Sequence, residues 1–381
     1  MNFDPTEEQA LAVESFRRFV ERDIQPLTQP LCDAPYPKEI AHALLKKVME
    51  FGVGNGWVPA EEGGCGLDFL SSGLLFETLA RVAPDLAGIA WVTEGAALKI
   101  QETASPELKA RYLPGLVAGD LIGCSAISEP GVGSNVRELR TKAVREGRHF
   151  RLNGEKMWTS NATIADIVTV LARTGEDDFT MFLLDRREHD FKTYEISKLG
   201  LNGWPLCQVV LEDVMVSEEN VLGTVGRGLK EVMKGFERSR CFVSVLALGI
   251  GQAAFDAART YALERHQFGK PIAGHQLVQS LLAQMATDLD ASRLLVHRAL
   301  WLMAAGRRCE MEAAMAKSFT TEAVQRVASN ALQIHGAFGV TREFPVERHF
   351  RNARMLTIPD GTTQINHLII GKNITNISAF A

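Results

Sequence analysis

The chain alternates between two hydrophobic periodicities, one typical of helices and one typical of strands. Residues 6–9 (Thr-Glu-Glu-Gln) are typical of a helix start, and the apolar stripe behind them comprises Leu11, Phe16, Phe19, Val20 and Ile24. Near the other end, helical spacing relates Leu281, Met285, Leu289 and Val296, and residues 313–332 predict a further helix. We therefore expect the first and last thirds of the chain to be helical.

The middle third has a different pattern. Short β-prone runs lie at Ile167–Leu171, Phe179–Leu184 and Val209–Leu211. Asn153-Gly154 and Thr174-Gly175 are typical turn pairs, and we expect them to separate strands. The predicted organisation is a helical domain over residues 1–123, a β domain over 124–225 and a helical domain over 226–381.

Composition narrows the function and the location. A formal net charge of −5 does not favour a nucleic-acid-binding surface. Residues 1–5 lack the basic and apolar regions of a signal peptide, and the longest apolar run, residues 242–251, is too short to span a bilayer. The six cysteines form no CxxC pair, which fits reduced thiols, not a disulfide framework or a zinc site. We expect a cytoplasmic enzyme that contacts neither nucleic acid nor membrane.

Two motifs of the β domain are suited to a bulky planar ligand. Residues 126–135 (Ala-Ile-Ser-Glu-Pro-Gly-Val-Gly-Ser-Asn) form a Gly-rich turn that exposes backbone N–H groups, although a plain surface loop has the same composition. Residues 156–161 (Lys-Met-Trp-Thr-Ser-Asn) place a tryptophan beside two hydroxyls, which suits a heteroaromatic ring. A core tryptophan at a strand end is the alternative.

Two further motifs lie in the last third. Residues 264–272 (Glu-Arg-His-Gln-Phe-Gly-Lys-Pro-Ile) include an arginine that could clamp a phosphate, or that simply ends a solvated helix. The most specific pattern is Gln333-Ile334-His335-Gly336-Ala337-Phe338-Gly339, completed by residues 358–365 (Ile-Pro-Asp-Gly-Thr-Thr-Gln-Ile).

Together these motifs resemble the acyl-CoA dehydrogenase family, in family order and over nearly the whole chain. The resemblance implies a mainly α fold with an N-terminal helical domain, a β-barrel-like middle domain and a C-terminal four-helix bundle. It also implies FAD as cofactor, an acyl-CoA thioester as substrate, an electron-transfer flavoprotein or another electron acceptor as partner, and a homotetramer.

Carried over by position, the resemblance also implies site residues. The FAD contacts would be Ala126, Ile127, Ser128, Trp158, Ser160, Thr362 and Gln364. The FAD of a neighbouring subunit would contact Arg265, Phe268, Gln276, Gln333, Gly336 and Gly339. The thioester ligand would contact Ser134, Arg240 and Gly361.

The implied reaction is α,β-dehydrogenation, in which a carboxylate takes the α-proton and flavin N5 takes the β-hydride. Asp360 stands where most family members have glutamate, so its carboxylate has roughly 1 to 1.5 Å less reach. The alternative glutamate that some members carry before the arginine of the first bundle helix is Ser239 here. Asp360 is therefore the expected base, and an Asp-Gly turn residue is the alternative interpretation.

Glu94 stands where the family usually has a small polar residue in the acyl pocket. We expect it either to face solvent or to be a second acid/base group. The pairing of Asp360 with an acidic residue here is similar to the cyclohexane- and cyclohexene-carboxyl-CoA dehydrogenases.

Three alternatives stay open from the sequence. One is a flavin oxidase of the same fold, similar to nitroalkane oxidase. Another is a dehydrogenase whose acyl group is carried by an acyl-carrier protein. The third is a nucleic-acid-binding relative without turnover, which the acidic composition and the absence of a basic C-terminal extension disfavour.

Overall fold

A computed structural model describes residues 4–31 and 33–379 and divides them into helical, β and helical parts in chain order. The α-helices α1 to α11 are Glu7–Phe19, Gln25–Thr28, Lys38–Met49, Phe69–Val82, Pro84–Thr103, Pro106–Val117, Gly228–Glu264, Gln276–Ala304, Glu310–His335, Val346–Met355 and Thr363–Thr375. The strands β1 to β10 are Gly123–Ala126, Lys142–Glu146, His149–Ser160, Ile167–Arg173, Phe179–Asp185, Lys192–Glu195, Leu206–Ser217, Val221–Leu222, His266–Gln267 and Lys270–Pro271.

The first helix begins where the sequence predicts. The Thr6 side chain accepts a hydrogen bond from the Gln9 backbone, and the Gln9 side chain accepts one from the Thr6 backbone, so a capping box starts α1. Phe16, Val20 and Ile24 are buried against the core. Leu11, which we assigned to the same stripe, is 71% exposed. That assignment is wrong because the stripe packs only along the second half of the helix and the π-helical turn at Val20–Ile24 that follows it.

The middle part contains one eight-stranded sheet, and the path through it runs β6-β7-β3-β2-β4-β5-β8. Strand β1 pairs in parallel with β4 and packs against α5. Thr174-Gly175 lies in the connection between β4 and β5, as predicted. Asn153-Gly154 lies inside β3 instead, where Gly154 has a φ of 149° and the register with β7 shifts. The pair is therefore a bulge, because the strand bends without ending.

The last part is built on three long helices, α7, α8 and α9, with α10 and α11 packed on α9. Residues 242–251 of α7 are fully or nearly fully buried among them. Among the described residues, α7 alone is long and apolar enough to cross a membrane, yet 72% of its most apolar window is buried inside the protein. Burial in the bundle accounts for the apolar character of this helix. The predicted fold class is confirmed.

Candidate active site

Asp360 lies in the loop between α10 and α11, and its backbone is strained. Its φ is 54° and that of Gly361 is 96°, so two consecutive residues have left-handed conformations. Aspartate tolerates this region better than most residues, and glycine adopts it freely. Thr362 then caps α11 by accepting a hydrogen bond from the Ile365 N–H at 3.3 Å. The loop therefore turns sharply and presents Asp360 toward α7.

Three side chains face the Asp360 carboxylate. Ser239 on α7 lies beside it and lowers its pKa, and the charges of Lys317 and Arg240 attract it. Burial raises the pKa of Asp360 above its ordinary value, while Ser239, Lys317 and Arg240 act in the opposite direction. The result is a partly buried carboxylate with a raised pKa, which is the property that a general base needs.

The Arg240 guanidinium has unused hydrogen-bonding capacity. The side chain is almost fully buried, and its Nε has no hydrogen-bond partner within the described part of the chain. Burial lowers the pKa of Arg240, and Asp360 is the first of the groups that raise it. A buried, partnerless donor beside a carboxylate is costly unless something else binds there, so this position is suited to a ligand.

The strand that leads into the Gly-rich turn is tied to β3. Ala126 is buried, while Ile127 and Ser128 are partly exposed. The Met157 N–H donates to the Ser128 carbonyl at 2.9 Å, and the Lys156 ammonium donates to the Ile127 carbonyl at 2.9 Å. Ala126, Ile127 and Ser128, which the sequence assigns to the flavin, are thereby held against β3 next to Trp158.

Lys156 also makes a buried ion pair. Its Nζ lies 2.9 Å from Glu129 Oε1, and both side chains are buried. Glu129 in turn accepts backbone hydrogen bonds from Arg140 at 2.6 Å and Thr141 at 2.8 Å. Burial lowers the pKa of Lys156 to about 8, and Glu129 opposes that shift. The pair fixes the start of the turn that carries Ser134, which is itself exposed.

Trp158 stands on a second bulge of β3. Its φ is 62°, the register with β7 shifts between Lys156 and Thr159, and the indole is 55% exposed. The bulge turns the indole out of the sheet, and Ser160 remains partly exposed beside it. An exposed indole on a strained backbone next to the edge at Ile127 and Ser128 fits a planar ring. The residues present therefore suit the isoalloxazine of FAD.

Glu94 on α5 is 0% exposed, so the expectation that it faces solvent is wrong. Its Oε1 accepts the Trp57 N–H at 2.6 Å and its Oε2 accepts the Gly54 N–H at 3.2 Å. Burial raises the pKa of Glu94 to about 8, while the N–H groups of Trp57, Gly54 and Gly56 act to lower it. The carboxylate therefore fastens the loop before α4, and the loop's own N–H groups make its burial possible.

A third set of predicted residues lies at the far end of the bundle. Arg265 ends α7, about 37 Å along the helix axis from Arg240. Phe268 follows it with 92% exposure, and Gln276, also exposed, begins α8. Gln333 is exposed in the last turn of α9, and the stacked rings of Tyr261 and His335 join the ends of α7 and α9. One subunit therefore does not gather these residues around Asp360. The set at this end is Arg265, Phe268, Gln276, Gln333, Gly336 and Gly339.

Residues around α11 complete the picture. Gly361 follows the base candidate directly, and Gln364 is exposed in the first turn of α11 beside the capping Thr362. The structure thus brings Asp360, Arg240, Gly361, Thr362 and Gln364 into one region, at the junction of α7, α9 and α11.

Sequence reasoning missed two buried lysines. Lys317 lies on α9 beneath the Asp360 loop, and Lys156 lies on β3 beneath the Gly-rich turn. The available signal for Lys317 is its position directly after the small and apolar run 313–316, where a solvated lysine is not expected. For Lys156 the signal is its even position in β3, which it shares with the buried Phe150 and Leu152.

Models of the acyl-CoA dehydrogenase N-terminal, middle and C-terminal domains match residues 6–120, 124–214 and 226–375. Among curated proteins, the 3-(aryl)acrylate reductase of Clostridium sporogenes is 34% identical over 97% of this chain and 99% of its own. The cyclohexane-1-carbonyl-CoA dehydrogenase of Syntrophus aciditrophicus is 32% identical over 97% of each chain.

Solved structures agree with these relatives. Butyryl-CoA dehydrogenase from Megasphaera elsdenii superposes with a TM-score of 0.93 at 30% identity, covering 98% of this chain and 100% of its own. A chain in the electron transferring flavoprotein study of Acidaminococcus fermentans gives 0.93 at 31% identity, covering 99% and 100%. The prolyl acyl carrier protein oxidase AnaB gives 0.90 at 26% identity, covering 98% and 100%. The resemblance drawn from the motifs is confirmed.

Proposed function

The chain belongs to the acyl-CoA dehydrogenase family of FAD-dependent oxidoreductases, and on that premise we propose that Asp360 removes the α-proton of an acyl thioester. The observation that carries the proposal is the left-handed Asp360, whose carboxylate is set between Ser239, Arg240 and Lys317. Because a base must be held close to the proton that it takes, this fixed setting matters as much as the carboxylate itself.

The reaction also needs a hydrogen-bond donor for the thioester carbonyl oxygen, and the backbone of Asp360 is suited to that role. Within residues 4–31 and 33–379, the Asp360 N–H donates to no other group. Pro359 before it has no N–H, so Asp360 supplies the donor at this point of the loop. We assign this N–H to the thioester carbonyl oxygen, where a donor stabilises negative charge as the α-proton leaves.

FAD, when bound, supplies the acceptor for the hydride that leaves the β-carbon. Ala126, Ile127 and Ser128 would hold the ring from the sheet side, and Trp158 and Ser160 would cover it. Thr362 and Gln364 would contact it beside the base. The work of these residues is to bind, to orient and to exclude water from the reacting carbon atoms.

A cyclic or aryl-substituted acyl group is the substrate class that we propose. The 3-(aryl)acrylate reductase and cyclohexane-1-carbonyl-CoA dehydrogenase support it by their similarity to this chain. Mixing the anaerobic FAD-loaded protein with straight-chain, branched, cyclic and aryl acyl-CoA esters tests the class, because flavin absorbance bleaches only with a reactive substrate. Faster bleaching with straight-chain esters would contradict it.

We also propose that the protein is a cytoplasmic homotetramer. It would pass its electrons to an electron-transfer flavoprotein. The similarity to a chain in the electron transferring flavoprotein study supports the partner. Steady-state turnover with and without added electron-transfer flavoprotein tests this acceptor.

An oxidase that acts on a carrier-bound acyl group is the second candidate function, and the likeness to AnaB favours it. Oxygen uptake without another electron acceptor would identify an oxidase. Flavin bleaching with an acyl-carrier-protein thioester but not with the matching CoA ester would identify the carrier. Slow reoxidation by oxygen together with fast bleaching by CoA esters supports the dehydrogenase.

Asp360→Asn tests the proposed base. It keeps the shape and the backbone N–H but removes the proton acceptor, so we expect anaerobic flavin reduction to slow by about a hundredfold or more. FAD and acyl ligand should still bind. Asp360→Glu should also slow reduction, because the native carboxylate is already placed beside Ser239, Lys317 and Arg240 and an added methylene misplaces it.

Asp213→Asn is the matched control, since Asp213 is an exposed aspartate that also has a left-handed backbone, with a φ of 51°. Its flavin reduction should equal that of the unmodified protein. Near-normal reduction in Asp360→Asn would show that another group takes the proton.

A further inference from the structure

Lys317 is fully buried on α9, and it bonds to backbone carbonyls. Its Nζ donates to the Thr357 carbonyl at 2.9 Å and to the Gly361 carbonyl at 2.8 Å. None of the ion pairs within the described residues includes this ammonium at salt-bridge distance. Burying an ammonium group costs solvation free energy, which two neutral acceptors and a nearby negative charge offset here. A lysine buried in this way indicates a specific role.

The two carbonyls enclose the base. Thr357 and Gly361 stand on either side of Ile358, Pro359 and Asp360, so one ammonium fastens both ends of the loop to α9. Asn366 adds a second fastening, because its Nδ2 donates to the same Gly361 carbonyl at 2.8 Å. Two consecutive left-handed residues are stable only where surrounding contacts hold the backbone in place. Lys317 supplies two such contacts through its hydrogen bonds to the loop carbonyls.

The charges around the loop come from two helices. From α7, Arg240 attracts Asp360 and repels Lys317. On α9, Glu322 attracts Lys317 and accepts a hydrogen bond from the Thr363 hydroxyl at 2.6 Å. Lys317 and Asp360 attract one another. Removing the Lys317 charge therefore removes one of the two cations that favour the ionised form of Asp360.

We propose that Lys317 is a positioning residue for the base: its ammonium holds the loop 357–361 in the strained conformation that aims the Asp360 carboxylate and N–H at the substrate. The inference rests on the proposed function of Asp360. Because Lys317 is fully buried and its ammonium is bound to two carbonyls, we assign it no contact with the substrate.

Lys317→Met and Lys317→Gln test the inference, with the exposed Lys372→Met on α11 as control. Each purified variant is assayed for FAD content, for anaerobic flavin reduction across pH, and for hydrogen exchange of the amides in residues 357–361. We expect both Lys317 variants to retain FAD, to exchange faster in the loop, and to reduce flavin about a hundredfold more slowly.

The pH dependence separates positioning from general stability. Because Lys317 lowers the pKa of Asp360, its loss should move the acid limb of the reduction profile to higher pH. A purely structural lysine would leave that limb in place. The glutamine side chain of Lys317→Gln can still donate a hydrogen bond through its amide but has no charge. If Lys317→Met does not fold, the pH profile of Lys317→Gln tests the inference.

Two failures can be told apart by measuring Asp360→Asn in parallel. If Asp360→Asn is inactive but Lys317→Gln reduces flavin at the normal rate with an unmoved acid limb and unchanged loop exchange, the inference about Lys317 is wrong. If Asp360→Asn is active, the proposed base is wrong and the role of Lys317 falls with it.

Discussion

The carboxyl oxygens of Glu94 accept hydrogen bonds from the backbone. Gly54, Gly56 and Trp57 all direct N–H groups at them, so the two oxygens bind a loop and not a reacting group. Both oxygens are held at hydrogen-bond distance by backbone N–H groups, which is the setting of a buried structural carboxyl group. We therefore interpret Glu94 as a structural residue, against the acid/base alternative that the sequence also allowed.

Glu94→Gln should lower the free energy of unfolding by about 1–3 kcal/mol, because the amide NH₂ then faces a backbone N–H and leaves it unpaired. Turnover per bound FAD should be unchanged. Chemical denaturation and flavin reduction measure the two quantities, with the exposed Glu61→Gln as control. Normal stability with slower turnover on cyclic substrates would favour the acid/base role.

The same residue gives a pH dependence. The pKa of Glu94 rises from 4.5 to about 8 on folding, so the folded protein retains this proton where the unfolded chain releases it. The contribution of Glu94 to stability is therefore complete below pH 4.5, falls as pH rises, and is lost above about 8. Glu94→Gln should flatten the stability profile between these values.

At the scale of elements, β3 does more than complete the sheet. It contains two bulges, one at Gly154 and one at Trp158, and between them Lys156 points inward to Glu129. The first bulge bends the strand and the second turns the indole outward, while the ion pair fixes the neighbouring turn. One strand thus positions two parts of the proposed flavin site, the Trp158 indole and the Gly-rich turn.

Lys156→Met should destabilise the protein by about 3–5 kcal/mol, because it leaves the buried Glu129 carboxylate without its cation. FAD should dissociate more easily, since the segment from Ile127 to Glu129 loses its anchor. Thermal unfolding and FAD retention on a desalting column measure both effects. Lys142→Met, at an exposed lysine of β2, should leave both unchanged.

The double variant Lys156→Met with Glu129→Gln provides the sharper comparison. Removing the carboxylate charge as well should restore part of the lost stability, because no buried charge remains unpaired. Additive losses in the double variant would show that the two side chains act independently.

Most elements could be predicted from the sequence because their periodicity reflects burial. The capping box at Thr6 and the buried face of α8 are examples. Asn153-Gly154 misled because a bulge and a turn both require glycine at positive φ, and only the pairing with β7 distinguishes them. Asp360 and Arg240 could be identified by motif. For Lys317 the apolar run before it indicates burial, but its role could not be predicted, because its partners are backbone carbonyls about forty residues away, which leave no mark in the sequence.

On the long helices, the whole molecule presents predicted ligand-binding residues at two separate places, apart from those on the sheet. The Asp360 region lies at one end of the long helices, and the region of Arg265 and Gln333 lies at the other. Phe268, Leu277 and Val340, all near the second region, are highly exposed. Exposed apolar side chains beside polar ligand-binding candidates are typical of an interface between subunits. In the proposed homotetramer, a neighbouring subunit would cover this end.

Arg265→Ala should weaken FAD retention and the oligomer together, because a ligand bound across an interface stabilises both. Light scattering during size-exclusion chromatography measures assembly, and absorbance measures FAD. Arg148→Ala, at an exposed arginine between β2 and β3, is the control and should change neither. A stable monomer that holds FAD tightly would contradict the inference.

The arrangement of the tryptophans provides an optical probe. Trp57, Trp91 and Trp204 are each 8% exposed, whereas Trp158 and Trp301 are about half exposed. Indole emission shifts to longer wavelength in water, and a flavin in contact with an indole quenches it. Filling of the proposed ring site should therefore extinguish the red-shifted emission of Trp158. Trp301→Phe would remove the other solvated emitter, so that the remaining long-wavelength fluorescence reports how many sites are empty.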